Sequence, residues 1–460
     1  MERYDRQLRL WGRSGQDNLN RSRVCVVGPA TPLLQEVCKN LVLAGISSLT
    51  WLKEKSVAQS GPLFLAELKK DLEPLISKQL DYEENDIEQT LLQLHYDWSR
   101  FSVIILTCIG KKTTLLNLND VRQQTGTTFP PILNTSVSGF YGYMNLVLSE
   151  AHFVLRTHPD NMKYDLRLQN PWPELIDYVN TFDLNKMDVK TFSGIPYVVL
   201  LMKCVAKLKK DSNGRNLTSG QVRDALGQVC LCLGNDAFYE PNYVEARRYA
   251  YLACSQNDSR KEPDDLLRNI EILDDVDDWH DVHNYEILTL LLTLKNTAQE
   301  SGKSSFQPLT GALPDMESTT DNYIKLKMLY NVRAELDKSC VKQNLVSNKK
   351  MVSKDVLDIF CAHYGEIKRV LPRKSDLLSI FSSSNSLLSA LVMMQFQAQS
   401  TMESKNDFIG LQVDCNYPVM SFFGGAVTQE AIKLITHHYV PIDNLFLYNG
   451  IDNSSAIHRM

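Results

Sequence analysis

Residues 23–28 read RVCVVG, an apolar, β-branched run that ends in glycine, and residues 33–44 read LLQEVCKNLVLA, apolar at helical spacing, with Gly45 behind them. A strand pattern without polar alternation predicts burial on both faces, the condition of a parallel sheet covered by helices. Gly45 supplies the stop that a helix C-terminus favours. The same grammar continues down the chain. Ser48 to Leu52 predicts a second strand, FSVIILTC at 101–108 a third and PPILNTSVSG at 130–139 a fourth, with a helical stretch near 113–124. Alternating strand and helix predicts an α/β fold with a doubly wound, Rossmann-like sheet.

The character changes from about residue 170 to 405. YVVLLMKCVAKL at 197–208, NYEILTLLLTLKN at 284–296 and NYIKLKMLYNVRAEL at 322–336 are long helical patterns with few strand signals. The last fifty residues return to the α/β pattern of the first part. PVMSFFGGAVTQEAIKLIT at 418–436 reads as turn and helix, with Gly424 and Gly425 opening the helix, and NLFLYNG at 444–450 reads as a strand. The predicted divisions are an α/β part at 1–169, a mainly helical insertion at 170–405 and a closing α/β part at 406–460. No internal repeat of fixed period is present.

Composition excludes several classes. A chain of 460 residues with 43% hydrophobic and 22% charged residues has the balance of a globular protein. Its net charge of −5, with no dense block of Lys and Arg, argues against a nucleic-acid groove. The start, MERYDRQLRL, lacks a secretory signal pattern, and the greasiest stretch, Ile287 to Leu294, is too short to cross a bilayer. Ten cysteines are scattered without regular pairing, and Cys25, Cys108 and Cys204 sit inside apolar runs. Reduced, buried thiols and a cytoplasmic or nuclear location are the expectation.

After the first strand a dinucleotide protein carries G-x-G-x-x-G. Here the positions read Gly28-Pro29-Ala30-Thr31-Pro32-Leu33. A phosphate cradle needs bare N–H groups and close backbone approach. Pro29 and Pro32 each remove a donor, Ala30 adds a Cβ, and Leu33 adds bulk where the helix must pack. The place of a ribose-binding acid after the second strand holds Lys53, with Glu54 beside it. By themselves these residues fit an ordinary core unit as well as a degenerate nucleotide site.

Two motifs stand at the chain ends. In RYDRQLRLWG at 3–12, Tyr4, Leu8 and Trp11 make an apolar stripe on a helix, and Arg6, Arg9 and Arg13 line the other side. Alone, such arginines more often mark a solvated face. In the second motif Val427, Ala431, Leu434 and Ile435 form an apolar stripe, which simple packing would also explain.

Together these motifs resemble the ThiF-type adenylating enzymes that activate ubiquitin-like modifiers. The family's Y-[DS]-R-Q-L/I is matched by Tyr4, Asp5, Arg6, Gln7 and Leu8. Its G-G-x-x-x-Q-E-x-[IV]-K is matched by Gly424, Gly425, Gln429, Glu430, Ile432 and Lys433. YDLRLQNPWPELIDYVNTFDL at 164–184 and LPDMESTTDNYIKLKMLY at 313–330 narrow the resemblance to regulatory subunits of Nedd/Rub-activating enzymes, over essentially the whole chain.

This resemblance implies a heterodimer with a catalytic subunit that holds ATP and Mg²⁺, adenylates the modifier's C-terminus and carries it as a thioester. It implies no bound cofactor or metal on this chain, and one direct contribution: Arg6 reaching the ATP phosphates of the partner subunit. Tyr4, Arg9, Gly424, Gly425, Gln429 and Glu430 are the expected interface. Departures from an active subunit agree: 52–65 lacks the N-x-N-R-Q-F run, and the family's D-C-T-D-N, which carries the metal-site Asp, aligns with Thr107-Cys108-Ile109-Gly110-Lys111, leaving Gly110 at the key position. No cysteine has a transfer motif, and Cys230 and Cys232 form only a C-x-C. His437-His438 reads as a helix cap, and the acidic run 274–278 as a solvated loop. A SUMO-type regulatory subunit would share the end motifs on a shorter chain. An NAD(P)-dependent oxidoreductase is disfavoured by the loop prolines, and a scaffold without an enzyme partner is the third alternative.

Overall fold

The computed structural model describes residues 4–54, 70, 80–93, 95–157, 164–184, 186–211, 217–254, 266, 280–300, 306–347, 350–373 and 416–459. The acidic run 274–278 and part of the 52–65 segment lie outside these residues. Two compact units result, one of Met1–Pro159, Leu273–Tyr285 and Lys368–Met460, the other of Asp160–Ile272 and Glu286–Ile367. These bounds differ from the expected 170–405 insertion, because the described residues 280–285 and 368–373 group with the sheet.

The elements of the first unit begin with α1 (Asp5–Arg21), β1 (Arg23–Gly28), α2 (Pro32–Ala44), β2 (Ser48–Lys53), β3 (Asp81–Asp86), α3 (Ile87–Leu91), β4 (Val103–Thr107) and α4 (Lys112–Thr125). Strands β5 (Ile132–Ser138), β6 (Tyr141–Val147) and β7 (His152–Val154) follow. The second unit contains α5 (Pro173–Asn180), α6 (Val189–Ser193), α7 (Tyr197–Asp211), α8 (Ser219–Leu233) and α9 (Pro241–Arg248). It also contains most of α10 (Val282–Glu300), together with α11 (Thr320–Ser347) and α12 (Lys354–Ala362). The chain ends with β8 (Lys368–Val370), α13 (Tyr417–Thr436), β9 (Leu445–Asn449) and β10 (Ser454–His458), all in the first unit.

Eight strands form one sheet in the order β10-β9-β6-β5-β4-β1-β2-β3. The five from β3 to β5 run parallel, and β6, β9 and β10 are added antiparallel. Strand β1 pairs with β2 on one side and β4 on the other, so the winding direction reverses there. That reversal opens a crevice at the strand C-termini, the usual ligand position in such sheets. The apolar run of β1 divides by period two, as a strand must. Val24 and Val26 pack with α2 and α13, whereas Cys25 and Val27 pack with Trp98, Phe101, Leu115 and Phe129 on the opposite face. Strand β3, with the sequence DYEEND, carries no apolar pattern; it sits at the sheet edge, where exposed charges suit an unpaired border.

The helical unit has its own core, in which Tyr197, Leu201, Leu226 and Tyr330 are nearly or fully buried. The Tyr330 hydroxyl donates to the Leu166 carbonyl at 2.6 Å, and the Asn242 amide donates to the Phe192 and Ile195 carbonyls at 2.7 and 2.9 Å. Thr218 and Gln221 form a reciprocal cap at the start of α8.

Two expectations are corrected. Gly424 and Gly425 do not open their helix: α13 starts at Tyr417 with Pro418 in its first turn, and both glycines are interior. Helix α1 is interrupted at Gly12, whose φ of 71° and ψ of 179° break the helical path. The reason for Gly424 is close approach to α2, since a Cβ there would lie 2.5 Å from Glu36 Cβ, whereas one at Gly425 would meet nothing within 4 Å. Gly424→Ala is therefore expected to destabilise the protein by about 1–3 kcal/mol through overpacking. Gly425→Ala should gain up to ~1 kcal/mol of helix propensity. Thermal unfolding of both variants separates the cases, and equal effects would contradict the packing argument.

Candidate functional site

The crevice between β1, β2 and β4 is filled by this chain's own groups. Gly28 ends β1 at φ 147°, and a Cβ there would fall 2.2 Å from the Thr107 carbonyl oxygen, so backbone proximity to β4 keeps glycine at this first fingerprint position. The next helix begins at once. Thr31 is its N-cap, accepting from the Leu34 N–H at 3.3 Å, and Pro32 occupies its first turn. The Gly28 carbonyl accepts from the Trp51 indole N–H at 2.9 Å.

Glu54 stands beside Lys53, which holds the place expected of a ribose-binding acid. Its carboxylate is buried and accepts from the Gly110 N–H at 2.6 Å, the Lys111 N–H at 3.1 Å and the Thr114 hydroxyl at 2.8 Å. Those donors are two N–H groups of the loop after β4 and a hydroxyl in the first turn of α4, so Glu54 ties this loop to the start of the helix. Burial raises its pKa, with the Gly110, Thr114 and Lys111 contacts opposing the rise. Lys53 is paired with Glu84, and Lys111 with Glu88. Replacing Glu54 by Ala should cost about 1–3 kcal/mol by leaving the Thr114 hydroxyl and two N–H groups unsatisfied; an unchanged melting temperature would contradict this role.

The N-terminal motif is anchored on its apolar side. The Trp11 indole donates to Gln16 at 3.1 Å, and the Gln16 amide donates to the Ala44 carbonyl at 3.0 Å. The Tyr4 hydroxyl packs at Gly45, only 3.2 Å from where a Cβ would stand. Arg6, Arg9 and Arg13 all face solvent. Arg9 pairs with Asp5 at 2.9 Å, and Arg6 makes no ion pair among the described residues.

The second motif divides. Gly424 is packed on α2, and Glu430 is buried, paired with Lys433 and accepting from the Ile442 N–H at 2.8 Å. These two serve the internal packing of the unit, whereas Gln429 is exposed and Gly425 partly so.

One cluster is not legible in the sequence. His437, the αL cap of α13, is buried and binds the Phe153 carbonyl through Nδ1 at 2.7 Å and Asp281 through Nε2 at 3.1 Å. Its ring stacks on His152 at 4.7 Å, and His283 meets it edge-on at 5.5 Å. Glu150 accepts from the His280 and Asp281 N–H groups at 2.8 and 3.1 Å and from the Asn284 amide at 2.9 Å. Burial opposes the charged form of His437, but Asp281 outweighs it and the pKa rises. The reverse balance holds Asp281 low despite its burial. Burial and the charge of His437 push His152 down to about 3.

Burial pushes Glu150 up to about 7 from 4.5, against the pull of Asn284 and the His280 N–H. A carboxyl with a raised folded pKa holds its proton more tightly when folded. Its contribution is complete below pH 4.5 and lost as pH rises through 7. Wild-type stability, measured against Glu150→Gln by denaturant titration, should therefore fall by at most about 3 kcal/mol over that interval. A pH-independent difference would refute the shift.

Of the described cysteines, Cys25, Cys38, Cys108, Cys204, Cys230, Cys254 and Cys361 are buried, Cys340 is half-buried and Cys232 is exposed. Burial pushes Cys38, Cys204, Cys230 and Cys361 up to about 12, away from the thiolate. Among the described residues no group of three or more His, Cys, Asp or Glu is placed to hold a metal ion, and no helix is long and apolar enough to cross a membrane.

No protein-family model matches the chain. It is 72% identical to the NEDD8-activating enzyme E1 regulatory subunit of Saccharomyces cerevisiae, over 100% of both chains. It is 26% identical to the subunit of the same name from Xenopus laevis, over 100% of this chain and 98% of the relative. For that of Caenorhabditis elegans the identity is 22%, over 99% and 98%. With the end motifs, the filled crevice and this identity over its whole length, the chain belongs to the family of NEDD8-activating enzyme E1 regulatory subunits.

Proposed function

We propose that this chain is the non-catalytic half of a heterodimer that activates a Nedd/Rub-type ubiquitin-like modifier. Its sheet unit is a degenerate ThiF-type adenylation domain, and the helical unit is an insertion that stands where active relatives place a catalytic-cysteine region. The partner subunit holds ATP and Mg²⁺, adenylates the modifier's C-terminal carboxylate and takes it as a thioester. The observation that carries this reading is the 72% identity to a NEDD8-activating enzyme regulatory subunit across the whole of both chains. On this reading the protein works in the cytoplasm, the nucleus or both.

The crevice supports the division of labour. The residues do not fit a nucleotide: Thr31 and Pro32 cap the helix where a pyrophosphate would sit, and the Glu54 carboxylate takes the N–H groups of Gly110 and Lys111. A phosphate brought there would meet buried negative charge in place of donors. Gly110 offers no carboxylate to a metal in the family's metal-site position.

Contact with the catalytic subunit is assigned to the outer faces of α1 and α13, which pack on each other. Arg9, Gly425 and Gln429 lie there, with exposed Leu10, Tyr417 and Phe422, an apolar set of the kind that marks an interface, while Tyr4 acts from the inner side by holding α1 at Gly45. Gly424 and Glu430 act indirectly, by fixing α13.

Arg6 is assigned to the ATP phosphates of the partner. A planar guanidinium neutralises charge building on a leaving pyrophosphate, and Arg6 is exposed without an ion pair among the described residues. Arg6→Ala should leave the heterodimer intact and slow modifier-dependent ATP–pyrophosphate exchange by roughly 10²–10³-fold, about 3–4 kcal/mol. Wild-type exchange in a stoichiometric Arg6→Ala heterodimer would overturn the assignment.

A further inference from the structure

Helix α1 is made of two helical pieces that meet at Gly12, where φ of 71° and ψ of 179° leave the helical path. Helix geometry therefore does not carry the direction of one piece into the next. The first piece bears Arg6 and ends at Trp11, and a helix shorter than about 12 residues is marginal in water by itself. Side chains must hold it. One buried side chain, Gln16 of the second piece, is 3% exposed and joins the parts. Its Oε1 accepts from the Trp11 indole N–H at 3.1 Å, and its Nε2 donates to the Ala44 carbonyl at 3.0 Å. Ala44 ends α2, whose last carbonyls have no partner within the helix. A single amide thus ties the Arg6 piece, the second piece and α2 to one another.

We propose that Gln16 is a positioning residue for the adenylation reaction, holding the first piece of α1 at the angle from which Arg6 meets the ATP of the partner subunit. This role rests on the assignment of Arg6 to those phosphates. Gln16 is buried, so it acts only through the parts it joins. Its surroundings are cleared for the purpose by two glycines. A Cβ at Gly15 would lie 2.9 Å from Trp11 Cδ1, and one at Gly45 would lie 2.8 Å from Gln16 Nε2.

Leverage makes the angle matter. Arg6 stands five residues before Trp11, about 7.5 Å along the axis at 1.5 Å per residue. A tilt of about 10° at Gly12 moves the Arg6 Cα by about 1.3 Å, and a misplacement of about 1 Å is enough to cost on the order of 10²-fold in rate. Burial of the Trp11 ring resists its withdrawal from the core, but apolar contact has no direction. The two hydrogen bonds of Gln16 do have one, since each weakens steeply as donor and acceptor lose alignment.

The test is modifier-dependent ATP–pyrophosphate exchange in the purified heterodimer for Gln16→Leu, Arg6→Ala and the double variant, a cycle that isolates the coupling between the two residues. Leucine fills the buried site and removes both hydrogen bonds. Gln16→Leu is expected to lower kcat roughly 10- to 100-fold with KM for ATP unchanged, because the contact of Arg6 with the leaving pyrophosphate is made in the transition state. In the Arg6→Ala background the same change should lower kcat no further, although it lowers the melting temperature equally in both backgrounds. Trp11→Phe keeps a buried ring and removes only the indole N–H; it should show the same dependence on Arg6 with a smaller loss, and it carries the test where Gln16→Leu fails to assemble. Equal losses of kcat in the two backgrounds, or a lowered melting temperature with wild-type kcat, overturn the positioning role and leave the assignment of Arg6 standing. Wild-type exchange by Arg6→Ala alone overturns that assignment, and the positioning role with it.

Discussion

The sheet unit depends on one close crossing. Helix α2 lies near the start of the chain and α13 near its end, and they meet where Gly424 faces Glu36 with no room for a Cβ. Around that point the Tyr417 hydroxyl donates to Glu36 at 2.7 Å, and Lys39 binds the same carboxylate at 2.5 Å. Burial works against the ionised form of Glu36, but the Lys39 and Tyr417 hydrogen bonds outweigh it and hold its pKa down. The crossing joins segments some 380 residues apart, lets Met420, Phe423 and Val427 complete the core over β1, and sets α13 to deliver β9 and β10 to the sheet. A long helical excursion between the two ends is tolerable because closure entropy grows only slowly with loop length.

In the same unit the crevice at the strand C-termini is occupied by the chain's own groups. The strand order still reverses at β1, and Gly28 is still required by its approach to Thr107. What fills the crevice is a set of the chain's own acceptors. A phosphate would need the N–H groups at the start of α2; here Thr31 accepts from Leu34, and Glu54 accepts from Gly110 and Lys111 in the loop after β4. Thr114 is buried, and its hydroxyl finds its partner in the Glu54 carboxylate. Glu54 is readable from the sequence beside the ribose-acid position, while its actual partners are not.

The fold is legible where one-dimensional pattern and three-dimensional environment coincide. The apolar runs of β1 and β4 and the helical periods of α2, α7 and α11 need only their own spacing. Strand β3 escapes because DYEEND forms a strand through its neighbour β2 and not through any apolar pattern. The position of Gly424 within α13 escapes because it depends on α2, which no local window contains. The cluster around His437 unites residues from β7, the turn before α10 and the end of α13, so the adjacent histidines show in sequence only as a cap. His437 does cap α13, but it also gives its second ring nitrogen to Asp281. For Arg6 the sequence supplies a motif, and the structure adds exposure.

That exposure follows from how α1 is held. Trp11 is fixed by Gln16, Gln16 by the Ala44 carbonyl, and Tyr4 by the tight space at Gly45, where φ of 102° favours glycine. With the apolar stripe tied to the C-terminus of α2, the helical turns before Gly12 can only present Arg6 and Arg9 outward. Asp5 then tethers Arg9, while the guanidinium of Arg6 stays without an ion pair among the described residues. A side chain positioned this way has a rigid base and a solvated tip, the arrangement that lets a charge be offered across an interface with little ordering still to be done. The closed crevice and the outward arginine are thus two results of the same packing: the polar groups of the crevice are satisfied internally, and the guanidinium of Arg6 is left at the surface.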